Sequence, residues 1–312
     1  LILIASCVLV SLTSAQSRGK DLKVLYWNVQ NGMWTGQDDN YDAFVDWVKA
    51  QKADVCIWAE AETIYYTGTS KRLPREERYF IWEKVAPRYG HKHIYVAGHR
   101  DGYPQVITSK YSIENVKRII GNEADSVVTH GAGWAKINFN GKDLNIVTLH
   151  TWPQKYTFGI TKEQRDSSKA VNGGDKYRRM EMEFICKETI AQNPDAAQEY
   201  WMMMGDFNAK SRVDNDFYKW PEDTTAFLVH DYIRATTPYM DVIKEKYPNE
   251  FFTTTGGKTR IDFFYCTEPL YKKITRAEVI SDDYTTPVRN PQKLSNFWHP
   301  SDHRPILVEF EL

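Results

Sequence analysis

The chain has 312 residues, 42% of them hydrophobic and 26% charged, with a formal net charge of −1. That balance excludes a disordered or low-complexity chain and argues against a protein that holds nucleic acid chiefly by bulk positive charge. The length suits one large domain or two small ones.

The first fifteen residues, LILIASCVLVSLTSA, carry no charge, end in small residues and precede QSRGK. They read as a secretory signal peptide over residues 1–15 that lacks its basic start, with cleavage expected after Ala15 and export to the periplasm or the medium. The run is too short, and too interrupted by Ser and Thr, to read as a membrane span. Ile4, Ala5, Ser6 and Cys7 offer a second reading, a bacterial lipoprotein box with Cys7 as the lipid-bearing residue. The apolar run continues beyond Cys7, which favours plain export. Cys56, Cys186 and Cys266 are odd in number and lie in apolar contexts without metal-type spacing, so they read as buried thiols.

LKVLYWNV reads as a strand reaching Asn28. NYDAFVDWVKAQK follows as a helix with Tyr41, Phe44, Val45 and Val48 on one face and Asn40 as its expected cap. ADVCIWAEAE is a second strand reaching Glu60, with Glu62 at the same parity. From Lys71 to Arg100 there are eight Lys or Arg against three acids, a solvated surface or an anion-facing loop. LNIVTLH is a later strand that ends in His150. DKYRRMEMEFICKETIAQ fits a helix with Met180, Phe184 and Ile185 inward and Arg178 and Arg179 outward. It leads into EYWMMMGDFN, a buried run in which Gly205 is expected to turn the chain and present Asp206, Phe207 and Asn208. TPYMDVIKEKYP is amphipathic for a turn or two, and TRIDFFYC is a strand carrying Asp262. Finally SDHRPILVEFEL places Asp302 and His303 before a strand in which Ile306, Val308, Phe310 and Leu312 share one face. No repeat, low-complexity tract or Pro-rich linker divides the chain, so a single domain over residues 20–312 is the simplest organisation.

Six strand ends therefore carry polar groups that a core would reject: Asn28, Glu60, His150, Asp206 with Asn208, Asp262, and Asp302 with His303. Any one of them alone would be an ordinary turn or a hydrogen-bonded structural residue. Together they place chemistry on the loops of a rigid scaffold. In order and spacing the pieces WNVQ, DVCIWAE, VTLH, GDFN, RIDFF and SDHRP resemble the endonuclease/exonuclease/phosphatase superfamily, from about Leu22 to Leu312. That superfamily includes DNase I-like nucleases, exonuclease III-like repair enzymes, inositol polyphosphate phosphatases and bacterial sphingomyelinases. Two places depart from the pattern. Ala59 stands where a Gln commonly precedes the acidic ligand, and DGYPQVITSKYSI replaces the usual small residues before its strand.

The resemblance implies a four-layered α/β/β/α sandwich, two mixed sheets flanked by helices, and an exported phosphoesterase that depends on Mg2+, with Mn2+ able to stand in. Phosphodiester hydrolysis is expected ahead of phosphomonoester or sphingomyelinase-like head-group hydrolysis, with an inactive binding module the rival outside enzymes. Glu60 would hold the metal, with Asn28 beside it as an oxygen ligand or a phosphate donor. Glu62 stays open as the ligand, although counting from Asp54 favours Glu60. Asp206 would position or deprotonate the attacking water, and Asn208 would orient the phosphate. His303 would be a general base or a protonated phosphate clamp, its ring held by Asp262 or Asp302, and His150 would donate to a non-bridging or leaving oxygen.

The same reading sets other groups aside. His91, His93 and His99 lack nearby carboxylates and do not form a zinc set. VNGGDK reads as a loop and not a nucleotide cradle, and most of the Trp and Tyr residues read as core. The expected partner is a phosphoester, either nucleic acid or a small phosphodiester, acted on by a monomer without an obligate protein partner. Specificity would reside in TIYYTGTSKRLPREER and TWPQKYTFGITKEQRDSSKAVNGG.

Overall fold

A computed structural model describes residues 20–34, 37, 39–67, 69, 71–78, 80–99, 103–120, 128–153, 174–288, 293–294 and 297–312. The expected signal peptide, the Cys7 box and most of the second specificity loop lie outside them.

The strands in chain order are β1 (Asp21–Asn28), β2 (Val55–Ala59), β3 (His93–Val96), β4 (Val106–Ser109), β5 (Ile113–Ile119), β6 (Ala132–Phe139) and β7 (Lys142–His150). They continue as β8 (Tyr200–Asp206), β9 (Tyr239–Asp241), β10 (Asp262–Thr267), β11 (Ile274–Val279), β12 (Lys293–Leu294), β13 (Phe297–Trp298) and β14 (Ile306–Glu311). One six-stranded sheet has the order β11-β14-β1-β2-β4-β3, the other β5-β6-β7-β8-β10-β9, and β12 pairs with β13 apart from them. Both large sheets are mixed: β1 runs parallel to β2 and β7 parallel to β8, and the other pairs are antiparallel.

The layers follow from side-chain alternation. Val24 and Tyr26 of β1 face Ile146, Met202, Met204 and Phe264 of the opposite sheet in the central core. Their neighbours Leu25 and Trp27 turn outward to meet Phe44, Val45 and Val48 of the Asp42–Gln51 helix and Trp82. On the far side, Met203, Trp201 and Val147 meet Met182 and Ile185 of the Asp175–Glu188 helix and Ile233 of the Leu228–Thr236 helix. The central strands are covered on both faces, which is why their sequences read as continuous apolar runs. The result is the four-layered α/β/β/α sandwich. Cys56, Cys186 and Cys266 are buried free thiols.

Four local expectations are corrected. The N-cap of the Asp42–Gln51 helix is Tyr41 and not Asn40, and the Asp39 carboxylate accepts the amides of Tyr41 at 3.1 Å and Ala43 at 3.0 Å. In the Asp175–Glu188 helix Met180 is 51% exposed and Arg178 only 2%. The Arg178 guanidinium turns inward because it donates to the Trp152 carbonyl at 3.2 Å and pairs with Asp175. Gly205 does not turn the chain, since it sits inside β8 opposite Leu149 and Phe263. A Cβ there would come within 2.1 Å of the Leu149 carbonyl oxygen, so glycine answers a close approach of β7 to β8. The segment from Thr237 also divides differently from its amphipathic reading, into β9 and a short Val242–Lys246 helix capped by Asp241.

Candidate active site

Strand register brings the polar ends together. Asn28 is the last residue of β1 and pairs with Ala59 of the parallel β2, so Glu60 leaves that sheet beside it. In the second sheet His150 of β7 pairs with Asp206 of β8, and Asp206 pairs with Asp262 of β10. Three expected site residues thus occupy one transverse row, facing the ends of β1 and β2 across the core. His303 arrives from the loop before β14, where its backbone is held by the Ser301 hydroxyl at 3.0 Å and by the Trp27 indole at 2.9 Å.

Asp206 Oδ2 is the point of convergence. The Asn28 amide nitrogen lies 3.2 Å from it, His150 Nε2 3.6 Å and His303 Nε2 3.9 Å. Asp206 Oδ1 accepts the Asn208 amide at 2.9 Å. Asn28 Nδ2 also donates to Glu60 Oε1 at 3.3 Å, while its carbonyl oxygen accepts the Gln30 amide at 3.0 Å. Asn28 therefore turns its nitrogen to the carboxylates. Asp262 Oδ2 binds His303 Nδ1 at 2.7 Å. Asp302 lies instead beside the other nitrogen, 3.7 Å from Nε2. Of the two acids left open as the ring's holder, Asp262 has that place. Asn208 sends its side-chain nitrogen to the Thr151 carbonyl at 3.0 Å.

Glu60 and Asn208 both adopt left-handed backbone, with φ of 54° and 45°. Asn tolerates that region and Glu does so rarely. The neighbouring stretch holds the Glu60 carboxylate in return: Asn31, at φ 52°, donates its backbone amide to Glu60 Oε2 at 3.1 Å. The Asn31 side-chain oxygen then accepts the amides of Ile64 and Tyr65. Strained backbone at a carboxylate fixed this firmly is characteristic of functional sites.

The titrating groups push one another apart. Burial raises the pKa of Asp206, Asp262 and Glu60 raise it further, and His303 and the Asn208 amide offset part of the rise. Burial likewise raises Glu60, with Asp302 adding to it. Burial alone would lower His303, but the charges of Asp262, Asp302 and Asp206 carry it well above the ordinary histidine value. His150 goes the other way, held well below that value by burial and by the neighbouring rings of His130 and His303. The two histidines are thus driven in opposite directions, His303 toward the imidazolium and His150 toward the neutral imidazole.

The donor set suits a divalent cation. Ligand atoms of Glu60, His150 and Asp206 lie within 4.8 Å of one another, as do those of Asp206, Asp262 and His303. The negative charges of Asp262 and Glu60 that raise the pKa of buried Asp206 would be relieved by a cation between them. Neither set includes Glu62 or the three histidines that were set aside. Of these, His91 is a buried core residue bound to Thr108 and the Ala53 carbonyl.

Four contributors escaped the sequence reading. The Tyr26 hydroxyl crosses the core to donate to Asp262 Oδ1 at 2.9 Å, and Ser301 donates to the Asn28 carbonyl at 2.5 Å. Asn31 carries only the weak signal of lying near a strand end, and His130 packs its ring 4.4 Å from that of His150. Tyr26 and Ser301 left no signal, since a Tyr in an apolar run and a Ser in a loop are both ordinary.

Solved structures share the fold that carries this cluster. An archaeal AP endonuclease from Archaeoglobus fulgidus superposes with a TM-score of 0.58 at 16% identity, covering 93% of this chain and 100% of that one. TDP2 from D. rerio, complexed with a single-strand DNA product, gives 0.56 at 15% identity over 94% and 99% of the two chains. NExo, a 3' phosphatase from Neisseria bound to a product DNA hairpin, gives 0.56 at 15% identity over 93% and 100%. At those identities the likeness is one of fold. No curated protein matches the chain in sequence. A sequence model of the Endonuclease/Exonuclease/phosphatase family does match, over residues 25–303, and it spans every residue of the cluster. The chain belongs to the Endonuclease/Exonuclease/phosphatase family.

Proposed function

We propose that the protein is an exported, Mg2+-dependent phosphoesterase whose main reaction is hydrolysis of phosphodiester bonds, with small or short substrates preferred to long duplex DNA. One observation carries the reading: Asp206 Oδ2 is faced at once by Asn28, His150 and His303, with Glu60 joined to the same group through Asn28. Phosphoester hydrolysis needs such a convergence of a base, donors and an acid-rich cation seat.

Glu60 would hold the divalent ion, which when bound neutralises phosphate charge and favours attack by water. Asn28, with its nitrogen turned inward, serves as a donor to a phosphoryl oxygen. His303, kept cationic by Asp262, clamps a second oxygen, which favours the clamp over the base. Asp206 orients the attacking water through Oδ2, because the Asn208 amide already occupies Oδ1. Neutral His150 donates from Nε2. Its Nδ1 is buried with no hydrogen-bond partner among the described residues, and a bare lone pair there costs less than an orphaned N–H. Export rests on the apolar, uncharged first fifteen residues.

The test is a substrate panel with added Mg2+: plasmid DNA, RNA, bis(p-nitrophenyl) phosphate, inositol phosphates and sphingomyelin. Turnover of the diester above the monoesters and the lipid supports the reading. Inositol phosphate or sphingomyelin turnover alone would move it to the head-group alternatives.

A further inference from the structure

His150 differs from His303 in what orients it. The Nδ1 of His303 is bound by a carboxylate, whereas the Nδ1 of His150 takes no hydrogen bond among the described residues although the ring is 2% exposed. Ring contacts replace that bond. The His130 ring lies 4.4 Å from His150 between centroids at 37°, and Tyr103 meets His150 edge-on at 6.3 Å. His130 is itself backed by Trp152, stacked at 6.2 Å and 12°.

Both backing residues lead to one buried carboxylate. Glu181, on the helix that covers the outer face of the second sheet, is wholly buried. Its Oε1 accepts the amide of Thr129, the residue before His130, at 2.8 Å. Its Oε2 accepts the amide of Trp152, two residues after His150, at 2.8 Å. A buried carboxylate in a helix facing a sheet is costly unless both oxygens are used, and here each holds one of the two segments that enclose His150. Gly131 completes the arrangement with φ of 92°, because a Cβ there would fall 1.6 Å from the Gly98 carbonyl oxygen.

We propose that His130 and Glu181 are positioning residues for His150. His130 supplies a ring face that sets the tilt of the imidazole, and Glu181 fixes the two backbone segments that bring His130 and Trp152 to it. The inference rests on the proposed function for its kinetic consequence, and on geometry alone for its structural one. Misorientation of a donor beside the reacting group lowers turnover more than binding.

The experiment compares His130→Ala with His130→Phe, which keeps a flat ring and removes the nitrogens. On bis(p-nitrophenyl) phosphate with Mg2+, kcat of His130→Ala should fall about 10- to 100-fold with KM nearly unchanged, the scale expected of a misplaced catalytic group. His130→Phe should recover most of that loss. In parallel, the His150 ring Cε1–Hε1 NMR cross-peak, identified by its disappearance in His150→Gln, should broaden or split in His130→Ala and stay single in His130→Phe. Glu181→Ala should reproduce the His130→Ala signature, and if it does not fold the His130 pair still decides. Wild-type turnover by His130→Ala, equal impairment of both His130 variants, or an unchanged His150 cross-peak in His130→Ala would each overturn the proposal. If wild-type protein cleaves no phosphodiester, the proposed function fails, while the cross-peak comparison still tests the positioning.

Discussion

Asp262 divides its carboxylate between two partners that both reach it from the opposite sheet, taking the Tyr26 hydroxyl at 2.9 Å on one oxygen and His303 Nδ1 at 2.7 Å on the other. The second of these bonds, with the Asp262 charge behind it, raises the pKa of His303 and favours its protonated ring. Asp262→Asn removes the charge that raises the pKa of His303, so that pKa should fall. Under the clamp reading the active form is the imidazolium, and activity is lost as pH rises through it. The alkaline limb of the kcat/KM profile should therefore move to lower pH in Asp262→Asn, with turnover reduced at least ~10²-fold. An alkaline limb that stays in place would show that His303 acts without its proton.

Loss of the Glu60 carboxylate should remove the cation seat. Glu60→Gln is expected to lower activity by at least ~10²-fold, with little restored by added magnesium or manganese. Chelation should silence the wild-type protein, and activity that survives chelator unchanged would remove the metal from the scheme.

Asp206 and His303 converge on the same point, so their contributions should overlap. Replacing either by Ala should cost several orders of magnitude in kcat, roughly the scale seen when one member of a catalytic unit is removed. The double variant should be little worse than the poorer single one. A loss equal to the product of the two single losses would show that they act independently.

Substrate size follows from charge. A protein that tracks duplex DNA loses affinity with a slope near −0.9 per phosphate contacted. This chain carries a net charge of −1, and its one basic stretch runs from Lys71 to Arg100. Between about 50 and 200 mM salt, kcat/KM for plasmid should change only modestly, and a small diester should be the better substrate. Efficient plasmid cleavage that collapses about 10³-fold across that range would return long DNA to first place.

Acid stability should report on a histidine outside the polar cluster. Burial, with Arg260 adding to it, lowers the pKa of His230 from 6.5 to about 3, and the ring is neutral, bound to the Tyr265 hydroxyl at 2.7 Å. A depressed histidine contributes stability that is complete above the unfolded value of 6.5 and declines as pH falls toward the folded value of about 3. The decline is at most about 1.4 kcal/mol per pH unit. Urea unfolding at a series of acid pH values should show a shallower decline in His230→Gln than in wild type. Parallel declines would place the acid sensitivity elsewhere.

Much of this site was legible because central strands buried on both faces announce themselves as apolar runs, and a carboxylate at the end of such a run needs a reason. Asn28, Glu60, His150, Asp206 and Asp262 all stood out in that way. What stayed hidden depends on partners distant in sequence. Tyr26 looks like core until Asp262 arrives 236 residues later. Arg178 looks like surface until the Trp152 carbonyl, 26 residues before it, explains its burial. Periodicity also could not tell that Gly205 answers the backbone of a neighbouring strand, because a turn and a close approach call for the same residue.

The row formed by His150, Asp206 and Asp262 ties chemistry to strand alignment. Side chains alternate across a sheet, so a slip of β8 by one residue would carry Asp206 to the far face and bring the Phe207 ring, or the bare Gly205, into its place. The same slip would press the backbone of Leu149 against a residue larger than glycine. A misaligned molecule would therefore lose both its water-orienting oxygen and its close strand contact in a single error. Competence in hydrolysis then becomes a readout of correct strand pairing, and refolding yield measured by activity should count only molecules whose second sheet has locked in register.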